Sequence, residues 1–189
     1  MGDGADELYR ALGKALARWQ YVETGMFLLF HGLSSCPFEE SFRQFFGREM
    51  WPIEVKLKTL NKICRDHPQP DVREHWKPLH KDLKQHRDTR NALAHFEPGR
   101  FNLPPETGRG GIQLGLSPQL LDLTMRKADG RVEALFMEEI VQAADEFLIT
   151  ARALIEFIET HVPQWNNRLS ALPPYERQHV DAFTRDVWR

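Results

Sequence analysis

Cysteine is scarce, with Cys36 and Cys64 the only two, and their separation forms no CxxC pair. That excludes a disulfide framework and a zinc ribbon and makes reduced, buried thiols the simpler reading. An excess of positive charge is missing too. Lys and Arg number 25 against 27 Asp and Glu, a formal net charge of -2, whereas domains that coat nucleic acid by bulk electrostatics run strongly basic. Any nucleic-acid contact must therefore be local. Long apolar runs are also lacking: the longest near the N-terminus is MFLLF at Met26–Phe30, against the roughly 20 residues of a membrane span. The opening MGDGADELYRALGK carries acids where a signal peptide carries basic residues, and Asp6 stands where a myristoylation signal has Ser or Thr. A cytoplasmic protein with no membrane partner is the expectation. No internal repeat or low-complexity tract is present.

What the chain does have is helical period. Its 189 residues with 41% hydrophobic content suit one domain over 1–189 with a continuous core. Leu8, Leu12, Ala15, Leu16, Trp19, Val22, Met26, Phe27 and Phe30 recur at steps of three and four, which predicts a long helix from Asp6 to about Leu33. Pro37 and Pro52 each stand where a first-turn proline opens a helix, and each precedes aromatic and aliphatic residues. Asp71 is a good N-cap for a fourth helix running to Phe96, with Pro78 expected to kink it or delay its regular start.

Beyond Gly99 the sequence turns Gly- and Pro-rich and then alternates with period two in Leu121, Leu123, Met125 and again in Val132, Ala134, Phe136. With Asp129-Gly130 between them, this predicts a β-hairpin inside an insertion over 98–136. Helical period returns from Met137 to about Val162, and an extension over 163–189 ends in a short helix that docks on the bundle or on a second subunit. The class expected is all-α: an antiparallel up-and-down bundle of four to five core helices, a hairpin before the last of them, and a short C-terminal helix.

The chemistry concentrates on the fourth helix. Its apolar stripe follows Val72, Trp76, Leu79 and Leu83, and the same stepping then lands on His86, Arg90 and Leu93. An arginine on that stripe loses water, which is costly unless it is paired, so it marks either a buried ion pair or an interface. Glu23, four residues after Trp19 and three before Met26, borders the stripe of the first helix and is a candidate carboxylate to face Arg90; the alternative is that it flanks the stripe and reaches solvent. His95 follows Arg90 by five residues, about 140° around the helix axis, so one helix does not aim both at one point. Two copies packed about a two-fold axis would bring both arginines and both histidines into one cleft. In the last turn of its helix, His95 meets free carbonyls and the dipole's negative end, which favour protonated imidazole and suit a general acid or base. A forked, permanently charged arginine beside it would stabilise a phosphodiester under attack by a 2′-hydroxyl.

The run RDTRNALAHF, with Arg90, Asn91 and His95, resembles the signature of the HEPN superfamily: an arginine, a polar residue, about three variable residues and a histidine near the end of a long bundle helix. In outline the resemblance covers most of residues 6 to 162, from the glutamate of W-x2-V-E in the first helix to the closing helix, and only those three residues match one for one. It implies a compact antiparallel bundle, a homodimer whose motif helices share a cleft, and often an endoribonuclease that needs no metal or cofactor, working in toxin-antitoxin or antiphage systems with an antitoxin or other protein as partner. Inactive members also exist. Arg90 would bind the scissile phosphate, His95 would act as general acid or base, and Asn91 would orient the phosphate or the histidine, with Glu23 and His86 in support. The 35 to 40 residues between motif and last helix depart from the pattern and bear on how RNA reaches the cleft.

Two other readings stand beside this one. A non-catalytic dimeric helical module would bind a protein partner or a small ligand between its helices, through aromatics such as Phe38, Phe42, Phe45, Phe46, Trp51, Trp165, Tyr175 and Trp188. Alternatively Arg90 and His95 are architectural, one in an ion pair with Glu23 and the other capping its helix. A metal site at His75, His80 and His86 is the weakest idea, because spacings of five and six miss the i, i+4 pattern and neither HExxH nor a cysteine pair accompanies them.

Overall fold

The computed structural model describes residues 3–50, 52–103, 111–117, 134–162 and 164–189. Its helices are α1 (Asp3–Leu33), α2 (Phe38–Phe46), α3 (Ile53–Arg65), α4 (Pro70–His95), α5 (Met137–His161), α6 (Trp165–Ala171) and α7 (Pro174–Trp188), with strands β1 (Glu97–Leu103), β2 (Gly111–Ser117) and β3 (Leu135–Phe136). The fold is mainly α-helical with one small antiparallel sheet. Among the described residues no helix is long and apolar enough to cross a membrane.

Proline punctuation sets the first half. Pro37 and Pro52 sit as N-caps immediately before α2 and α3, where a missing N–H costs nothing because the first helical donors have no intrahelical acceptor. Pro78 lies inside α4, which begins at Pro70 and runs through it without interruption to His95, so the regular start is not delayed. The sheet has the order β1-β2-β3, with β1 and β2 paired antiparallel from Glu97↔Ser117 to Leu103↔Gly111. Pro98 is accommodated because β1 is an edge strand. This strand pair was not expected from the sequence. Of the hairpin that was, Leu121 to Val132 and the Asp129-Gly130 turn lie outside the described residues, as does Trp51; its described end, Leu135–Phe136, pairs with β2. Gly115 of β2 admits no side chain, since a Cβ would fall 2.9 Å from both the Leu135 carbonyl oxygen and the Phe136 ring.

The chain divides into two compact units, Met1–Trp19 with Asp88–Glu146, and Gln20–Arg87 with Phe147–Arg189, so α1, α4 and α5 each contribute to both. The first unit buries Leu8, Ala15, Trp19, Leu93, Leu116 and Ile140, and Arg18 of α1 pairs with Asp145 of α5. The second buries Val22, Met26, Leu29, Leu60, Trp76, Leu83, Phe147 and Leu154. Each fully buried side chain of this kind contributes about 1.5–3 kcal/mol. Here α1 and α5 approach closely at Gly25, whose Cβ would meet Leu154 at 3.1 Å. The two tail helices dock within this unit through Trp165, Val180 and Val187, all buried, while Arg152 of α5 donates from Nε to the Val187 carbonyl at 2.8 Å.

A lysine lies inside the second unit. Lys56 of α3 is 4% exposed, donates from Nζ to Glu23 Oε2 at 3.0 Å, and stands 5.0 and 4.7 Å from the ring centres of Phe45 and Phe46. Nearby, His31 at the C-terminal end of α1 is buried, with Nδ1 3.1 Å from Ser41 Oγ, while its backbone carbonyl accepts from Arg168 Nη1 of α6 at 2.5 Å. Arg168 thus satisfies a carbonyl that the end of α1 leaves without a helical donor. Burial first, and the Arg168 charge second, hold the His31 imidazole down at about 4. Burial pushes the Cys64 thiol up to about 12, which leaves it unreactive.

Two outcomes follow from these buried groups. Lys56→Met strips Glu23 of its ammonium and is expected to destabilise by about 3–5 kcal/mol in urea denaturation, with part of the loss recovered in the Glu23→Gln/Lys56→Met double variant. The unfolded chain protonates His31 near 6.5 and the folded chain only near 4, so stability is expected to fall as pH drops from about 6.5 to 4 and to level off for this group below that. His31→Asn should flatten that slope, by on the order of 3 kcal/mol across the window; equal slopes for the two proteins would refute the assignment.

Candidate functional site

The stripe read from the sequence of α4 is buried along its length at Val72, Trp76, Leu79, Leu83, His86 and Leu93. Trp76 anchors it further, donating from its indole to Asn61 Oδ1 at 3.2 Å. His86 occupies its place on the stripe by pairing its Nδ1 with Thr150 Oγ1 of α5 at 2.9 Å and packing edge-on against Phe147 at 5.7 Å. Its contacts tie α4 to α5 within the second unit.

Arg90, Asn91 and His95 fall on the last two turns of α4, in the first unit. Arg90 and Asn91 are half-buried and His95 is exposed. The Arg90 guanidinium donates from Nη1 to the Asn91 side-chain oxygen at 3.2 Å, while its Nε is buried with no hydrogen-bond partner. Among the described residues no carboxylate pairs with it. Since α4 is regular from Arg90 to His95, the two side chains leave the axis about 140° apart. The helix continues its hydrogen bonding one residue further, with Phe96 N–H donating to the Ala92 carbonyl at 2.9 Å, so His95 sits at the carbonyl end of a completed turn.

Glu23 lies in the other unit, where its Oε2 accepts from Lys56. Sequence reasoning singled out Glu23 and passed over Lys56, one of three lysines in IEVKLKTLNKIC. The one available signal was Lys56 standing beside Leu57 and four residues before Leu60, on the side that α3 buries.

The remaining histidines of α4 are engaged separately. His75 stacks on His161 with ring centres 4.2 Å apart, and His80 stacks on Trp76 at 5.6 Å. Burial, then the Lys84 charge, lowers the His80 pKa below the usual imidazole range. Among the described residues no group of three or more His, Cys, Asp or Glu is placed to hold a metal ion.

The aromatics outside the motif form their own site in the second unit. Phe27 of α1 gathers Phe38, Phe42, Phe45 and Phe46 of α2 around it, with ring centres 5.2 to 5.8 Å away. Between these rings and α7 opens a cavity of about 450 Å³, whose lining includes Tyr175 and Phe183. Sequence reasoning named the aromatics of α2 and Tyr175 as a surface, placed Phe27 only on the stripe of the first helix, and did not name Phe183. Searches of family models, curated proteins and solved structures return no match to this chain.

Proposed function

We propose that the protein is a HEPN-type endoribonuclease that needs no metal, working as a homodimer in which two copies of the α4 end form one cleft. The observation that carries this reading is the unmet capacity of Arg90 among the described residues: a half-buried guanidinium that bonds there to a neutral amide and to no carboxylate, and whose Nε has no partner. A charged fork in that state is completed by an anion with several oxygens, and a phosphodiester supplies them. An architectural arginine would instead be closed by carboxylates of its own chain.

The chemistry then runs without a covalent enzyme intermediate. The 2′-hydroxyl of the RNA attacks the adjacent phosphorus and gives up its proton, the bond from phosphorus to the 5′ oxygen breaks, and that oxygen takes a proton. The products are a 2′,3′-cyclic phosphate and a 5′-hydroxyl. His95, exposed at the helix end, is the proton-transfer group. Arg90 meets the charge that builds on the phosphoryl oxygens, and Asn91 holds the guanidinium in place through its side-chain oxygen. The angular separation of Arg90 and His95 on one helix is why a second copy is needed, since a two-fold pairing presents each residue from both sides. His86 and Glu23 act within the second unit, the first by locking α4 to α5 there and the second by neutralising Lys56. A cytoplasmic toxin-antitoxin or antiphage role, with an antitoxin as controlling partner, accords with an RNA-cleaving enzyme of this type.

A non-catalytic module that binds a small ligand is the second reading, favoured by the aromatic cavity rather than by the motif.

Purified protein incubated with total cellular RNA in EDTA is expected to cleave it, and His95→Ala to lose at least about 100-fold in rate. The same variant should keep the wild-type denaturation midpoint to within about 0.5 kcal/mol, as for other exposed positions. Equal cleavage by both proteins, or none by either while folded and dimeric, would overturn the proposal.

A further inference from the structure

The cavity beside α7 combines an aromatic wall with two carboxylates that, among the described residues, have no ion pair. Phe27, Phe38, Phe42, Phe46, Tyr175 and Phe183 supply rings, and Phe42 and Tyr175 stand exposed at 51% and 71%. Two carboxylates, Glu39 and Glu176, share the lining. Glu176 is half-buried, its Oε2 is buried with no hydrogen-bond partner, and among the described residues neither glutamate has an ion pair. Two tail arginines bond to backbone oxygens: Arg168, which lines the adjoining cavity with Glu39 and Glu176, donates to the His31 carbonyl at 2.5 Å, and Arg177, whose Nε is buried without a hydrogen-bond partner, donates to the Leu172 carbonyl at 3.3 Å. A carboxylate taken partly out of water without a cation is costly, and the missing partner is positive charge.

The same unit shows how it accommodates such a charge. Lys56 holds its ammonium over Phe45 and Phe46 and against Glu23, which is a ring face plus a carboxylate. Phe46 belongs to both arrangements, one filled by the chain's own ammonium and the other open. Aromatic faces attract cations through their quadrupole, and an alkylated ammonium is the best guest because it has little hydration to lose. The volume of about 450 Å³ lies in the range that encloses a small molecule rather than a bare ion.

From these observations we infer that the cavity formed by α1, α2 and α7 binds a small organic cation, an alkylated ammonium carrying an apolar body, with Glu176 as its counter-charge. The inference is independent of RNA cleavage, which involves the other unit, and either can fail without the other.

Titration of the full chain at pH 8, by calorimetry, with benzyltrimethylammonium and with the near-isosteric neutral alcohol benzyl dimethyl carbinol separates charge from shape. The cation is expected to bind at least about tenfold more tightly. Glu176→Gln should bring the cation down to the level of the alcohol while leaving the alcohol unchanged, and Phe42→Leu, which keeps an apolar surface but removes a ring, should weaken the cation several-fold. Phe42 is exposed, so that variant reads out even if Glu176→Gln were to disturb folding. Equal affinity for the two compounds would reveal an apolar groove suited to a partner segment and overturn the inference, as would no binding of either, or a cation affinity untouched by both substitutions.

Discussion

The cost of taking charge out of water organises this protein. Lys56 is the solved case: an ammonium inside the second unit, met by Glu23 from α1 and by two phenylalanine faces from α2. Three helices are held in register by one side chain, because moving any of them exposes an unpaired charge to a low-dielectric interior. Hydrophobic contacts around it are exchangeable in kind, since another apolar residue of similar volume serves nearly as well. The ammonium and its carboxylate are not.

Arg90 and Glu176 are two cases left open among the described residues, with Arg177 next to Glu176 a third. Each is partly withdrawn from water, and each has a buried polar atom with nothing to bond. Arg90 carries positive charge at the end of a helix that also presents an exposed imidazole, which fits an anion undergoing chemistry. Glu176 carries negative charge beside a wall of rings, which fits a cation held without chemistry. The two lie in different units and on different helices.

Much of the helical frame was readable beforehand. Period and proline punctuation located α1 to α5 to within a few residues, because long amphipathic helices repeat their signal over many turns. The β1–β2 pair escaped because Pro98, Gly99, Gly111 and Gly115 read as loop, whereas Gly115 is there because neighbouring backbone and ring leave no room for a side chain. The separation of α6 from α7 was also missed, since WNNRLSA is too short for period to show. At the site, the stripe on α4 predicted that His86 and Arg90 interrupt a buried face. What no spacing rule conveys is which cation a carboxylate takes: Glu23 looked toward the motif arginine as readily as toward any other, and Lys56 was hidden among lysines that do face solvent.

The most direct test of the account is the chemistry at the ends of the RNA fragments, read by mass spectrometry after cleavage in EDTA. Attack by the 2′-hydroxyl, with Arg90 and His95 as the working groups, predicts 2′,3′-cyclic phosphate and 5′-hydroxyl termini that vanish in His95→Ala. Fragments bearing 3′-hydroxyl and 5′-phosphate ends, or cyclic phosphates that persist in His95→Ala, would contradict it.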